Sequence, residues 1–320
     1  MISERDVRTA RDKISTFVIE TPLARSETLS TLLGSNIYLK LELFQKTGSF
    51  KPRGAFNQIL QVEEAARDKG VVAFSGGNFA QGVAYAARML NITAVICMPD
   101  YTPSNYVDAT KSYGADVKFA PDIASTIALA KSYEAEGFSY LHPYDNPYQM
   151  AGNGTIGLEI FENLPEITDI FVSIGGGGLI AGITVAIKTV KPEIRIWGVE
   201  TEGAETMGKA LQAGEVVQIE PLSLAKTLCA PFVAEDALRI CERYLAEHLI
   251  VTDLEAIVSQ QFLLERAKVL TELAASCTLS ATQKVSHRFD KADHVVLLLC
   301  GGNESLANMI TYPRTESHNS

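Results

Sequence analysis

The chain has 320 residues, of which 47% are hydrophobic and 21% charged, enough to bury one large or two medium cores and too apolar for a disordered chain. Its 28 basic and 38 acidic residues leave a formal charge of −10, which is no footprint for nucleic acid or an anionic membrane surface. An anionic small ligand must therefore be held by local chemistry.

The opening MISERDVRTARDK is polar from its first turn and predicts neither a signal peptide nor an arginine-rich transit segment. The first β-rich run is IYLKLEL (37–43). SFKPRGAFNQ (49–58) follows, with Lys51 four or more residues from any acid and Pro52 and Gly54 beside it. That pattern suits the first turn of a helix carrying a positioned cation, against the plainer reading of an exposed lysine on a turn. VVAFS (71–75) then runs through Ser75, Gly76, Gly77 and Asn78 directly into the helical pattern NFAQGVAYAARML. Consecutive N–H groups at such a start suit a carboxylate or phosphate, and the alternative is an ordinary turn with Asn78 as helix cap. TAVICMP (93–99) and DVKFA (116–120) are the next strands, and the His142 to Asn146 turn is the candidate boundary between two α/β domains.

DIFVSIG (169–175) ends in four glycines, Gly175 to Gly178. They cost backbone entropy and make sense where the main chain wraps closely round a group such as phosphate. Gly176, Gly178 and Ala181 also satisfy a relaxed G-x-G-x-x-A pattern, with Glu200 closing the next strand, RIWGVE (195–200), where a ribose-binding acid would stand. An NAD-linked oxidoreductase thus competes on local evidence. HLIVT (248–252), the helical DLEAIVSQQFLLERA and HVVLLLC (294–300) follow, the last ending in Cys300, Gly301, Gly302 and Asn303. Its run VVLLLC is far too short to span a bilayer, and the cytoplasm is the expected compartment. Cys97, Cys229, Cys241, Cys277 and Cys300 form no CxxC and read as reduced thiols, and the five histidines lack metal-ligand spacing. The strand–helix alternation predicts parallel sheets covered by helices on both faces, with ligands at the carboxyl ends of the strands.

Read in order, SFKPRGA, SGGN, SIGGGGL and CGGN resemble the fold-type-II pyridoxal-phosphate enzymes, and within them the serine/threonine dehydratase branch. The similarity runs from TPLARSETLS through HPYDNPYQMAGNGTIGLEI to CGGN, nearly the whole chain. It implies an α/β chain of two open, mostly parallel-sheet domains of the tryptophan synthase beta type with the cofactor between them. Residues 1–50 plus 146–320 would form the large cofactor-binding domain and residues 51–145 a smaller inserted one. It further implies that Lys51 forms the Schiff base with pyridoxal 5'-phosphate and that burial beside Phe50, which packs on the cofactor ring, lowers the pKa of its amine. Gly175, Gly176, Gly177, Gly178 and Leu179 would hold the phosphate through main-chain N–H groups, Asn78 the ring hydroxyl, and Cys300 would face the pyridine nitrogen. Ser75, Gly76, Gly77 and Asn78 would hold the substrate carboxylate, with Ser75 joining Lys51 in catalysis.

The implied reaction turns a 2-amino-3-hydroxy acid, L-threonine or L-serine first, into a 2-oxo acid and ammonia. The alternatives within the cofactor class are a bulkier substrate, hydroxyaspartate- or phenylserine-like, and β-replacement. A non-catalytic binder on the same scaffold is a further one, disfavoured by the intact motifs. Gly76 stands where racemases of the family carry a second serine, which favours dehydratase over racemase. Phe79 replaces the usual histidine and either favours an apolar substrate side chain or points into the core. Glu272 matches a family glutamate but sits in ELAASC, without the usual proline and glycine. The family's divalent-cation site (magnesium or calcium) would use Glu200, the carbonyl of Ala204 and an aspartate where this chain has Thr206 beside Glu205, one carboxylate short of a hard-cation site. The family leads one to expect a homodimer, the length leaves no room for a C-terminal regulatory domain, and the polar tail TYPRTESHNS is expected to be mobile.

Overall fold

Among the described residues, short β-rich runs between amphipathic helices and two brief edge segments form ten strands: β1 Leu23–Arg25, β2 Asn36–Leu41, β3 Val71–Phe74, β4 Ala94–Pro99, β5 Asp116–Ala120, β6 Ser139–Leu141, β7 Asp169–Ser173, β8 Arg195–Thr201, β9 Leu245–Val251 and β10 His294–Leu299. This is a computed structural model, which describes residues 1–313. The expectation for the polar tail falls, from residue 314 on, outside the described residues. No described helix is long and apolar enough to cross a membrane.

The strands form a six-stranded sheet, ordered β1-β2-β10-β7-β8-β9, and a four-stranded sheet, ordered β5-β4-β3-β6. Among the described strands only the β1–β2 pair is antiparallel. The chain is thus mixed α/β with two sheets of parallel strands, as expected. All eight strands read from the sequence are present. The two that were not foreseen, β1 and β6, are three-residue strands at sheet edges, where one buried face is not needed and no apolar run marks them. Central strands β4 and β7 are buried along their whole length, the signature of a sheet covered on both faces.

The helix Lys51–Ile59 joins the two halves. Pro52 sits in its first turn, and every residue from Pro52 to Ile59 is buried. Phe56 and Ile59 enter the apolar cluster of the four-stranded sheet, where Phe17 stacks on Phe56 with ring centroids 4.8 Å apart. On its other side this helix crosses Pro147–Asn163 so closely that a β-carbon at Gly152 would lie 2.5 Å from the Arg53 carbonyl. One built on Gly54 would overlap the Gln149 side chain. Glycine is therefore required at this crossing.

A buried ion cluster fixes the same helix. Arg53 Nε and Nη2 donate to the two oxygens of Glu42 at 2.9 and 2.8 Å. Its Nη1 and Nη2 donate to Glu159 at 2.5 and 2.9 Å, and Lys40 Nζ reaches Glu159 at 2.5 Å and the Thr21 carbonyl at 2.7 Å. Lys40, Glu42 and Arg53 are almost wholly buried. Every charge in the cluster has an opposite partner, which is the condition under which buried charges are tolerated.

Candidate active site

Lys51 opens its helix immediately after β10 and the segment Ser49–Phe50 have locked together. The Phe50 N–H donates to the Cys300 carbonyl at 3.0 Å, and Ser49 pairs with Gly301 as an isolated bridge. The Lys51 amine donates to the Pro143 carbonyl at 2.9 Å and lies 5.0 Å from the Phe50 ring centroid and 5.4 Å from that of Phe79. Burial lowers its pKa to about 8, partly opposed by Cys300 and Glu272. Phe79 is buried in the apolar cluster of the four-stranded sheet, with its ring beside Lys51.

The SGGN turn follows β3. Ser75 N–H donates to the Cys97 carbonyl at 3.0 Å, and Ser75 Oγ accepts from Gly77 N–H at 3.2 Å. Gly77, not Asn78, is the cap of the helix Asn78–Met89. The Asn78 side chain is instead buried: its Nδ2 donates to both oxygens of Glu272 at 3.0 and 2.9 Å, and its Oδ1 accepts from Asn303 Nδ2 at 2.8 Å, which leaves that oxygen one lone pair. Glu272 also accepts from Thr227 Oγ1 at 3.0 Å. Burial raises the pKa of this carboxyl, against the two hydrogen-bond donors. A β-carbon at Gly76 would stand 2.8 Å from Thr102 Oγ1, so that turn leaves little room for a side chain.

The glycine loop connects β7 to the helix Gly178–Val190, with Gly177 at φ 88°. That left-handed conformation favours glycine. A β-carbon at Gly176 would overlap the Tyr144 ring, one at Gly177 would fall 2.6 Å from Ala237 Cβ, and one at Gly178 2.7 Å from the Tyr144 carbonyl. Gly175 passes Leu228 at 3.3 Å by the same measure, and Leu179 is buried behind it. The loop therefore presents only main chain at a helix start, which suits an oxyanion. Cys300 ends β10 nearby, its Sγ 3.5 Å from Ser173 Oγ at the end of β7, and burial pushes its thiol pKa up to about 12. It is protonated at neutral pH, a weak donor.

Phe50, Lys51, the SGGN turn, the glycine loop, Leu179 and Cys300 thus gather in one place, at the carboxyl ends of β3, β7 and β10. Thr227 ties them: it donates to Glu272, its carbonyl would lie 3.4 Å from a β-carbon on Gly175, and its methyl approaches Gly77. The residues fit pyridoxal phosphate. They offer a nucleophilic amine of lowered pKa, a side-chain-free oxyanion loop, and buried hydroxyls on Ser49 and Tyr144 that have no hydrogen-bond partner.

Glu200 and Ala204 are both buried. Glu200 is buried, its oxygens accepting from the N–H groups of Met207 and Gly208, each at 2.9 Å, while Oε2 also meets His248 Nε2 at 2.6 Å. Its carboxylate thereby receives the first free N–H groups of the helix Thr206–Ala213. Among the described residues no group of three or more His, Cys, Asp or Glu could hold a metal ion. These bonds engage the carboxylate on which the dinucleotide reading relied. Sequence reasoning missed Pro143, whose contribution is a carbonyl that no residue type announces, and Tyr144, Thr227 and Tyr106, which carry no motif by themselves, while Asn303 was read only as the end of CGGN.

Comparison with known proteins agrees with this geometry. The model of the family "Pyridoxal-phosphate dependent enzyme" matches residues 14–301. The L-threonine ammonia-lyase of Thermotoga maritima is 39% identical over 97% of this chain and 77% of its own length. The catabolic L-threonine dehydratase TdcB of Staphylococcus aureus is 36% identical over 97% of this chain and 91% of its own. Among solved structures, maize serine racemase superposes with a TM-score of 0.92 at 30% identity, covering 97% of this chain and 96% of that one. A threonine deaminase from "T.th." gives 0.89 at 32% identity, covering 95% and 99%. By sequence, fold and site the chain belongs to the family of pyridoxal-phosphate dependent enzymes.

Proposed function

We propose that the protein deaminates a 2-amino-3-hydroxy acid, with L-threonine and L-serine as first substrates, releasing the 2-oxo acid and ammonia. The observation that carries the reading is the Lys51 amine, held at the Pro143 carbonyl with a pKa lowered to about 8, in a chain whose relatives named above include a threonine ammonia-lyase and a threonine dehydratase. Pyridoxal phosphate, when bound, supplies an electron sink that acidifies the Cα–H of an amino acid and allows its 3-hydroxyl to leave.

The chain's own residues do the rest. Lys51 holds the cofactor through its ε-amine, and in its neutral form takes the proton from Cα. Main-chain N–H groups of Gly175 to Gly178 and Leu179 would hold the phosphate, Phe50 would pack on the ring, Asn78 would serve the ring hydroxyl, and the Cys300 thiol would act as a weak donor to the pyridine nitrogen. Ser75, Gly76, Gly77 and Asn78 hold the substrate carboxylate, Ser75 adding its hydroxyl. The two sheets support a division into residues 1–50 with 146–320 and an inserted 51–145, since each sheet draws its strands from one of these parts.

Two results are expected. Cofactor-free protein should capture pyridoxal phosphate faster as the pH rises, with its midpoint near 8 and a plateau above it, because the free amine is the nucleophile and its pKa is lowered from 10.5 to about 8. A capture rate, read as growing visible absorption, that climbs steadily past pH 10 contradicts the buried-amine account. A panel of L-threonine, L-serine, phenylserine and hydroxyaspartate should give 2-oxo acid and ammonia in equal amounts. Phe79 beside Lys51 makes phenylserine the telling bulky substrate. Inversion at Cα without ammonia release is the outcome that sinks the dehydratase reading, and the crowding of Gly76 by Thr102 argues against it.

A further inference from the structure

The asparagines that close the SGGN and CGGN motifs are bonded to each other, and one of them is gripped from across the site. Asn303 Nδ2 donates to Asn78 Oδ1 at 2.8 Å and to the Thr47 carbonyl at 2.7 Å. The Asn303 main-chain carbonyl in turn accepts from the Tyr106 hydroxyl. Tyr106 lies on the helix Ser104–Ser112, between β4 and β5 of the four-stranded sheet, whereas Asn303 follows β10 of the six-stranded sheet. One phenol therefore ties the two sheets together at the carboxyl ends of their strands. Its ring is rigid, with only two torsions, so little freedom is lost in aiming the hydroxyl. The fit around Asn303 is close: a β-carbon on Gly48 would lie 2.5 Å from its Oδ1.

We propose that Tyr106 is a positioning residue of the active site. By holding the Asn303 carbonyl it fixes the loop after Cys300, seats the Asn303 amide on Asn78, and so orients the Asn78 amide, whose other end grips Glu272. The Tyr106 hydroxyl is spent on the Asn303 carbonyl, so it acts through that residue. The inference rests on the reading of this site as the cofactor and substrate site, and it adds the residue that closes one half of the chain over the other.

Tyr106→Phe removes one oxygen and keeps the ring, and the holoenzyme is the protein to test. The dissociation constant for pyridoxal phosphate, followed by visible absorption, should rise about two- to tenfold, the scale of one net hydrogen bond. The KM for L-threonine should rise with it while kcat moves less, and the melting temperature should stay near that of the parent. Because Tyr106 acts through Asn303, the double variant Tyr106→Phe/Asn303→Ala should bind cofactor no worse than Asn303→Ala alone. Unchanged cofactor affinity and KM in Tyr106→Phe overturn the proposal, as do losses that multiply in the double variant or a fall in melting temperature without any change in affinity. If the parent protein turns over no 3-hydroxy amino acid, the functional reading fails, and the cofactor-affinity cycle still decides the role of Tyr106.

Discussion

Lys51→Ala is expected to abolish covalent capture of the cofactor and to lower kcat/KM on L-threonine or L-serine by about 10²–10⁴-fold for the lost base alone. The loss of cofactor attachment adds to that figure. The substitution should leave the fold intact, because the Lys51 side chain makes a single hydrogen bond, to the Pro143 carbonyl, and sits mainly against the rings of Phe50 and Phe79. Removing an amine whose charged form is disfavoured by burial relieves a desolvation cost at neutral pH. Lys51→Arg is the sharper control. It keeps a cation at the same place but supplies no neutral amine, so it should be as inactive as the alanine variant. Steady-state kinetics with bound cofactor quantified by absorption checks both, and an active Lys51→Arg enzyme would mean that position 51 contributes only charge.

The second large effect concerns stability. Arg53→Met leaves the buried carboxylates of Glu42 and Glu159 with Lys40 as their one remaining buried cation, and breaking a buried pair from one side costs about 3–5 kcal/mol. Arg53 lies two residues beyond Lys51 on the same helix, and its guanidinium ties that helix to Glu42 ahead of it and to Glu159 on the crossing helix. Denaturant unfolding should therefore show a markedly lower midpoint, and the surviving folded protein should capture cofactor more slowly than the parent. Arg53→Lys should rescue only part of the loss, because an ammonium cannot bridge both carboxylates in the fork geometry of the guanidinium. A midpoint unchanged in Arg53→Met would show that the cluster is not what holds the Lys51 helix in place.

These two residues show how far the sequence could be read. Lys51 was visible as an anomaly, a cation with no nearby acid set against a proline at a helix start, and the glycines and Cys300 were visible because each closes an apolar strand. Strands β3, β4, β7, β8 and β10 were legible because buried parallel strands read as mostly apolar runs, whereas β2, β5 and β9 showed only as short β-rich runs. What stayed hidden depends on partners far along the chain. Glu200 fitted two ligand chemistries by its strand-end position, and its actual partners are the start of the next helix and His248, 48 residues on. Arg53 read as part of the Lys51 motif, yet Glu159, one of its two counter-ions, lies 106 residues away. The bond between Asn78 and Asn303 spans 225 residues, and the Pro143 carbonyl that holds Lys51 is main chain. Pairings of this kind are set by how the two sheets dock, which no local pattern encodes.

The central claim is that Lys51 carries the cofactor. Purified protein loaded with pyridoxal phosphate should show visible absorption that borohydride bleaches, and peptide mass mapping should then find one pyridoxyl label, on the peptide containing Lys51. A label on any other lysine, or a protein that stays colourless with added pyridoxal phosphate, contradicts the account.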